Sequence, residues 1–98
     1  MIRLRFSAAA HRDILEAQAW YSGQRPGLDL SFREDLDRVL ERIRTFPAGF
    51  PFVYKAIRRA NLRRFPYSVF YVQRRDHLFA LGVVHHARSP RHWKRRWS

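Results

Sequence analysis

"YSVFYVQRRDHLFALGVVHH", residues 67–86, is two runs of apolar, aromatic and β-branched residues separated by three charged ones. Alternation within each run predicts two strands, 67–73 and 77–86, closed as an antiparallel hairpin by "RRD". Just upstream, "FVYKAIR" (52–58) and "LRRF" (62–65) read as two further strands, with "RAN" (59–61) as their turn. Pro66 cannot donate to a ladder, so it is expected at a bulge or on an edge.

Further toward the N-terminus the period changes from two to about 3.6. Phe32, Leu36, Val39 and Ile43, widened by Leu40, predict a helix over 29–45 that Pro47 ends. Ala10, Ile14, Ala17 and Tyr21, with Leu15 beside them, predict an earlier helix that is capped by Ser7 and stops near Gly23. The short "GQRPGLD" between them requires a nearly antiparallel helical hairpin. Ile2, Leu4 and Phe6 alternate with Arg3, Arg5 and Ser7, as in a strand over 2–6. At the other end, Ser89 and Pro90 have the character of an N-cap and a first helical residue, opening a short basic helix to about 96. The expected architecture is α+β in a single domain, 1–98: a helical hairpin on one face of a mostly antiparallel sheet.

Ninety-eight residues leave no room for a second core. The chain has no cysteine, which excludes disulfides and thiolate chemistry and agrees with a reducing cytoplasm. "MIRLRFS" is not a secretory leader, and the longest apolar run, "LFALGVV" (78–84), is far too short to span a bilayer, so a soluble cytoplasmic protein with no membrane role is expected. The net charge is +12 and unevenly spread. Residues 1–50 carry eight Lys or Arg against seven acids; residues 51–98 carry twelve against one. Such a field attracts polyanions and acidic protein segments.

Glycine-rich phosphate loops, HExxH and GxSxG are all missing from the sequence. Seven of the eight acids fall on the helical hairpin, where Glu34–Arg38 and Glu41–Arg44 are spaced as surface ion pairs; the eighth, Asp76, falls in a turn. Carboxylate catalysis is therefore not expected. Neither is a metal or cofactor, since adjacent histidines on a strand face opposite ways and no acid accompanies His85, His86 and His92. What remains is a basic set: Lys55, Arg58, Arg59, Arg63 and Arg64 on the paired strands, then Arg88, Arg91, Lys94, Arg95 and Arg96 in the tail. On the strand reading, Lys55 neighbours Arg63 or Arg64 on the sheet face away from the helices, forming a concave cationic patch. Cleavage of RNA through its 2′-hydroxyl would draw on Lys55, Arg64 and Arg88 for charge and on His85 or His86 for proton transfer, without a metal. A plain basic nucleic-acid-binding module is a further alternative.

Several segments, in order, resemble the RelE/ParE superfamily of toxins from type II toxin-antitoxin systems: "DILEAQAWY" (13–21), "PGLDLSFREDL" (26–36), "FPAGFP" (46–51), "RRFPYSVFYV" (63–72) and "VVHHARSPRHWKRR" (83–96). The resemblance implies a β-α-α-β-β-β core and a toxin neutralised by a co-expressed antitoxin with a flexible, often acidic C-terminal part. It also implies growth inhibition, plasmid or chromosome stabilisation, and operator DNA bound only through the antitoxin. The tail "RSPRHWKRRW" is similar to the ParE-like branch, which implies inhibition of DNA gyrase by protein contact and no favoured catalytic residue. The RelE-like alternative, a ribosome-dependent mRNA endonuclease, lacks its late tyrosine unless His85 or His86 replaces it. On this resemblance Arg58, Arg59, Arg63, Arg64, Arg88, Arg91, Trp93, Arg95 and Arg96 are the expected target or antitoxin contacts. Arg88 and Pro90 orient the tail, and Trp93 anchors it to the sheet or touches the target.

Overall fold

Ser7 is where the period changes. In a computed structural model, which describes residues 2–98, its backbone N–H donates to Ala80 O (2.9 Å) and its hydroxyl to Leu81 O (3.0 Å). The same hydroxyl accepts the Ala10 N–H at 3.0 Å. One residue therefore ends β1 (Arg3–Phe6), caps α1 (Ala8–Gln24), and fastens both to a distant strand. After Gly27, whose φ of +86° suits a residue without a Cβ, α2 (Leu28–Thr45) returns antiparallel. A single 3-10 turn (Pro47–Gly49) then leads to β2 (Phe52–Tyr54), β3 (Ile57–Asn61), β4 (Tyr67–Gln73), β5 (His77–His85) and α3 (Pro90–Arg96).

The five strands form one sheet in the order β1-β5-β4-β3-β2. β1 runs parallel to β5, with Arg3 opposite His77 and Phe6 opposite Ala80, and the other pairs are antiparallel. Both faces are covered. The hairpin places Ile14, Phe32, Leu36, Val39 and Ile43 on Val69, Tyr71, Leu78 and Ala80; α3 lays Trp93 and Trp97 over Phe70, Ile57 and Val84 on the opposite face. Trp93 and Trp97 stand with ring centroids 5.0 Å from that of Phe70, contacts worth about 0.5–1.5 kcal/mol each beyond their burial.

Three expectations about the central region fail. The turn between β2 and β3 is at Lys55–Ala56, with Lys55 in the left-handed region at φ 54°, and "RAN" is the end of β3. "LRRF" is not a strand but a loop. Asn61 looks like a turn residue, yet its side chain is taken by Arg59 and Ser68. The loop exists because Asp35, on α2 and with no exposed surface, accepts the backbone N–H groups of Arg63 (3.3 Å), Arg64 (2.8 Å) and Phe65 (2.9 Å). Pro66, neither at a bulge nor on an edge, precedes β4 and gives its carbonyl to the His86 N–H (2.8 Å).

Asp35 also corrects the reading of the acids as surface charges. A buried carboxylate is tolerated only where donors replace its water, and three main-chain amides do so here. On the solvent side of α2 the ion pairs are Arg33–Asp37 (3.0 Å) and Glu41–Arg44 (3.5 Å), and Glu34–Arg38 does not form. Arg33–Asp37 and Glu34–Arg38 share a four-residue spacing, so periodicity alone does not choose between them. Such exposed pairs contribute only a few tenths of a kcal/mol.

Replacing Asp35 by Ala removes the acceptor of three part-buried amides, at about 1–3 kcal/mol each before relaxation. Urea denaturation of Asp35→Ala should show a loss of at least about 3 kcal/mol, with Asp35→Asn between it and the parent. A loss under about 1 kcal/mol would mean that water satisfies these amides and that the loop does not depend on Asp35.

Candidate functional site

β1 pairs with β5 only as far as Ala80, so β5 from Leu81 onward has a free edge. α1 runs beside this edge, and Asp13 reaches across to accept the Val83 N–H at 2.9 Å. The same carboxylate oxygen accepts from Arg96 of α3, also at 2.9 Å. Close approach is possible because residue 82 is glycine. A Cβ there would lie 2.7 Å from the Trp97 ring and 3.2 Å from both the Arg96 guanidinium and the Asp13 carboxylate. Gly82 and Asp13 thereby seat the C-terminal helix.

Between α1, the free edge and the start of α3 lies an open groove of about 720 Å³. Arg12, Arg88 and Arg96 supply positive charge, His85 and His92 add imidazoles, Asp13 and Glu16 oppose them, and Trp20 stands 61% exposed on one wall. The floor includes Tyr67, whose phenol is pushed up to about 12, chiefly by burial. At neutral pH it is a neutral hydrogen-bonding group and no base. His85 accepts the Ala87 N–H at its Nδ1 (2.9 Å), which leaves the ring proton on Nε2 when the ring is neutral. Its ring meets Tyr67 edge-on at 5.0 Å.

His86 points to the other face. Its Nε2 lies 2.8 Å from the hydroxyl of Ser68, which is fully buried. Ser68 donates its one proton to Asn61 Oδ1 (2.6 Å) and accepts from Arg59 Nε (3.0 Å), so His86 must carry its proton on Nε2. A serine beside a histidine here is a structural knot: the hydroxyl is inaccessible, and the imidazole donates to it instead of taking its proton.

The other expected residues separate into groups. Lys55, in the β2–β3 turn, has its ammonium 5.1 Å from the Tyr54 ring centroid, and Lys94 of α3 lies 5.6 Å from the same ring. The turn is at the opposite end of β3 from Asn61 and Ser68, so Lys55 meets neither Arg63 nor Arg64, and the concave patch expected on that sheet face is occupied instead by α3. Arg58 stacks on Phe52 and is tied to main-chain carbonyls. Arg63 and Arg64 are exposed on the Asp35 loop, Arg91 and Arg95 are exposed on α3, and Trp93 is buried against Phe70. Of the postulated set, His85 and Arg88 meet in the groove, His86 lies on the opposite face beside Ser68, and Lys55 and Arg64 lie on the β2–β3 turn and the Asp35 loop. Among the described residues no three His, Asp or Glu side chains gather as a metal centre would require. The polar and aromatic groove residues that the sequence did not reveal are Arg12, Asp13, Glu16, Trp20 and Tyr67. Trp20 left one signal: a large aromatic one position off the buried stripe of α1.

The family described as "ParE toxin of type II toxin-antitoxin system, parDE" matches the chain over residues 4–90. Among solved structures, one titled "Chromosomal ParDE TA system from P. aeruginosa" superposes with a TM-score of 0.77 at 18% identity, covering 87% of this chain and 96% of that one. At that identity the likeness is one of fold. No curated protein matches in sequence.

The His86 knot sets a pH dependence. Burial of the Nε2 end, and then the charge of Arg59, lower this histidine from its ordinary 6.5. As pH falls the unfolded chain takes up the proton first, so the contribution to stability is complete above about 6.5 and is lost as pH drops through the lowered folded value. Urea midpoints measured from pH 8 to 5 should fall more steeply for the parent than for His86→Gln. Parallel curves would show that the ring is not held neutral by its surroundings. Gly82→Ala should displace Trp97 and shift the tryptophan emission to longer wavelength; unchanged emission would show that α3 is not seated through this contact.

Proposed function

This chain belongs to the ParE toxin family of type II toxin-antitoxin systems, and from that premise we propose that it inhibits DNA gyrase by protein–protein contact and is neutralised by a cognate antitoxin lying in the basic groove. The observation that carries the non-enzymatic reading is the dispersal of the ribonuclease candidates. His85 and Arg88 share the groove, but His86 is engaged by buried Ser68 and Lys55 belongs to a turn at the far end of β3. A phosphoryl-transfer site needs its base, acid and cations within reach of one phosphate.

The groove suits a flexible antitoxin segment that is acidic and carries apolar anchors. Arg12, Arg88 and Arg96 offer charge, and Trp20 offers an exposed aromatic wall. Aromatic and arginine side chains of this kind dominate interface energetics. A disordered acidic segment can cover such a surface, at the cost of ordering itself on binding. In this reading operator DNA is contacted through the antitoxin, the complex is cytoplasmic, and no cofactor takes part. No helix among the described residues is long and apolar enough to cross a membrane.

Two parallel assays test the reading: gyrase supercoiling with added toxin, and a translating extract with primer-extension mapping of message ends. Supercoiling should stop while messages stay intact. Codon-spaced cuts that disappear in Arg64→Ala, His86→Ala or Arg88→Ala would establish the endonuclease alternative instead, and tight salt-sensitive DNA binding by the toxin alone, without effect in either assay, would establish the plain nucleic-acid-binding module. For neutralisation, Trp20→Ala and Arg88→Ala should each weaken antitoxin binding in calorimetry by about tenfold or more; parent-like affinity in both would exclude the groove as the antitoxin site.

A further inference from the structure

The connector "FPAGFPF", residues 46–52, ends α2 and starts β2, yet two of its phenylalanines contribute little to the core: Phe46 is 68% exposed and Phe52 59%. The backbone around them is unusually well tied. Tyr71 donates its hydroxyl to Pro47 O (2.6 Å), and Arg58 donates to Phe50 O (2.7 Å) and Ala48 O (3.3 Å). The Arg58 guanidinium sits 3.8 Å from the Phe52 ring centroid, and that of Arg42 lies 5.3 Å from Phe50. These contacts fix two aromatic–arginine stacks on one turn and leave much of Phe52 open to solvent.

We infer that the turn carrying Phe46 and Phe52, with Arg58 stacked beside it, is a second contact surface, separate from the groove, and that it docks an acidic protein surface with an apolar pocket on the target. The inference rests on the gyrase reading above. Charge sets the partner's sign: from Arg42 to Arg75 the chain contains no carboxylate, and among the described residues neither Arg42 nor Arg58 forms an ion pair. Chemistry sets its class. Exposed phenylalanines flanked by prolines, beside an arginine already held by carbonyls, make an apolar anchor with a cationic rim, the composition of a protein-interface centre. Because the Arg58–Phe52 stack and the backbone of the turn are held before contact, less conformational entropy is lost on docking. A strand of nucleic acid would be served better by mobile lysines, which this turn lacks.

The test measures binding of the full-length toxin to purified gyrase, and separately to a single-stranded oligo-dT, for the parent, a Phe46→Ser/Phe52→Ser double variant, and Arg58→Lys. The double variant should keep the parent's thermal midpoint, because both rings are exposed, and lose gyrase affinity by about tenfold or more. Arg58→Lys, which keeps the charge but loses the plane and its forked donors, should fall between the two. Parent-like gyrase affinity in the double variant overturns the inference while leaving gyrase inhibition standing. Loss of oligo-dT binding alone assigns the turn to nucleic acid and overturns it as well. A parent that does not bind gyrase removes the reading and the inference together.

Discussion

The carboxylate of Asp35, buried under the sheet's end and answered by three consecutive main-chain amides, is the constraint on which the arrangement of the C-terminal half depends. It joins α2 to the loop before β4, and so determines where β4 begins. Tyr67 then pairs with His85, and the Pro66 carbonyl takes the His86 N–H. The point at which the chain leaves β5 for the turn holding Arg88 is thereby fixed. In a chain with so large an excess of arginine, the most deeply buried acid neutralises no side chain; it organises backbone.

A second carboxylate does related work on the other side. Asp13 occupies the place at the free edge of β5 where a sixth strand would have donated or accepted, and holds Arg96 with the same oxygen. The C-terminal helix is thus fastened by an ion pair at one end and by Trp93 and Trp97 on Phe70 along its length. Sheet, hairpin and tail become three layers, with the basic groove left where α1 and α3 both approach the unpaired edge.

This layering explains why the cationic residues form several local groups and not a single field. Lys55 and Lys94 meet at Tyr54, Arg59 is spent on Ser68 and Asn61, Arg58 is stacked on Phe52, and Arg12, Arg88 and Arg96 face the groove. Each guanidinium held by a carbonyl or hydroxyl is withdrawn from catalysis and made part of the scaffold. Arg12 and Arg88 line the groove instead.

The residue order by itself determined the helices, the β4–β5 hairpin, Ser7 as a cap and the short final helix, because each rests on local periodicity and capping that neighbouring residues supply. It also determined the charge imbalance and the family likeness. It misled at 55–66, where a left-handed lysine makes the turn and a buried acid twenty-eight residues upstream of Arg63 makes the loop; no local pattern records a hydrogen bond to a distant helix. Only the tertiary structure decided that β1 lies parallel to β5, that α3 covers the second sheet face, that His86 meets Ser68 while His85 lines the groove, and that Asp13 and Trp20 belong to that groove. Those outcomes depend on which free edges and buried polar groups find partners across the fold, and such satisfaction is a property of the packed molecule.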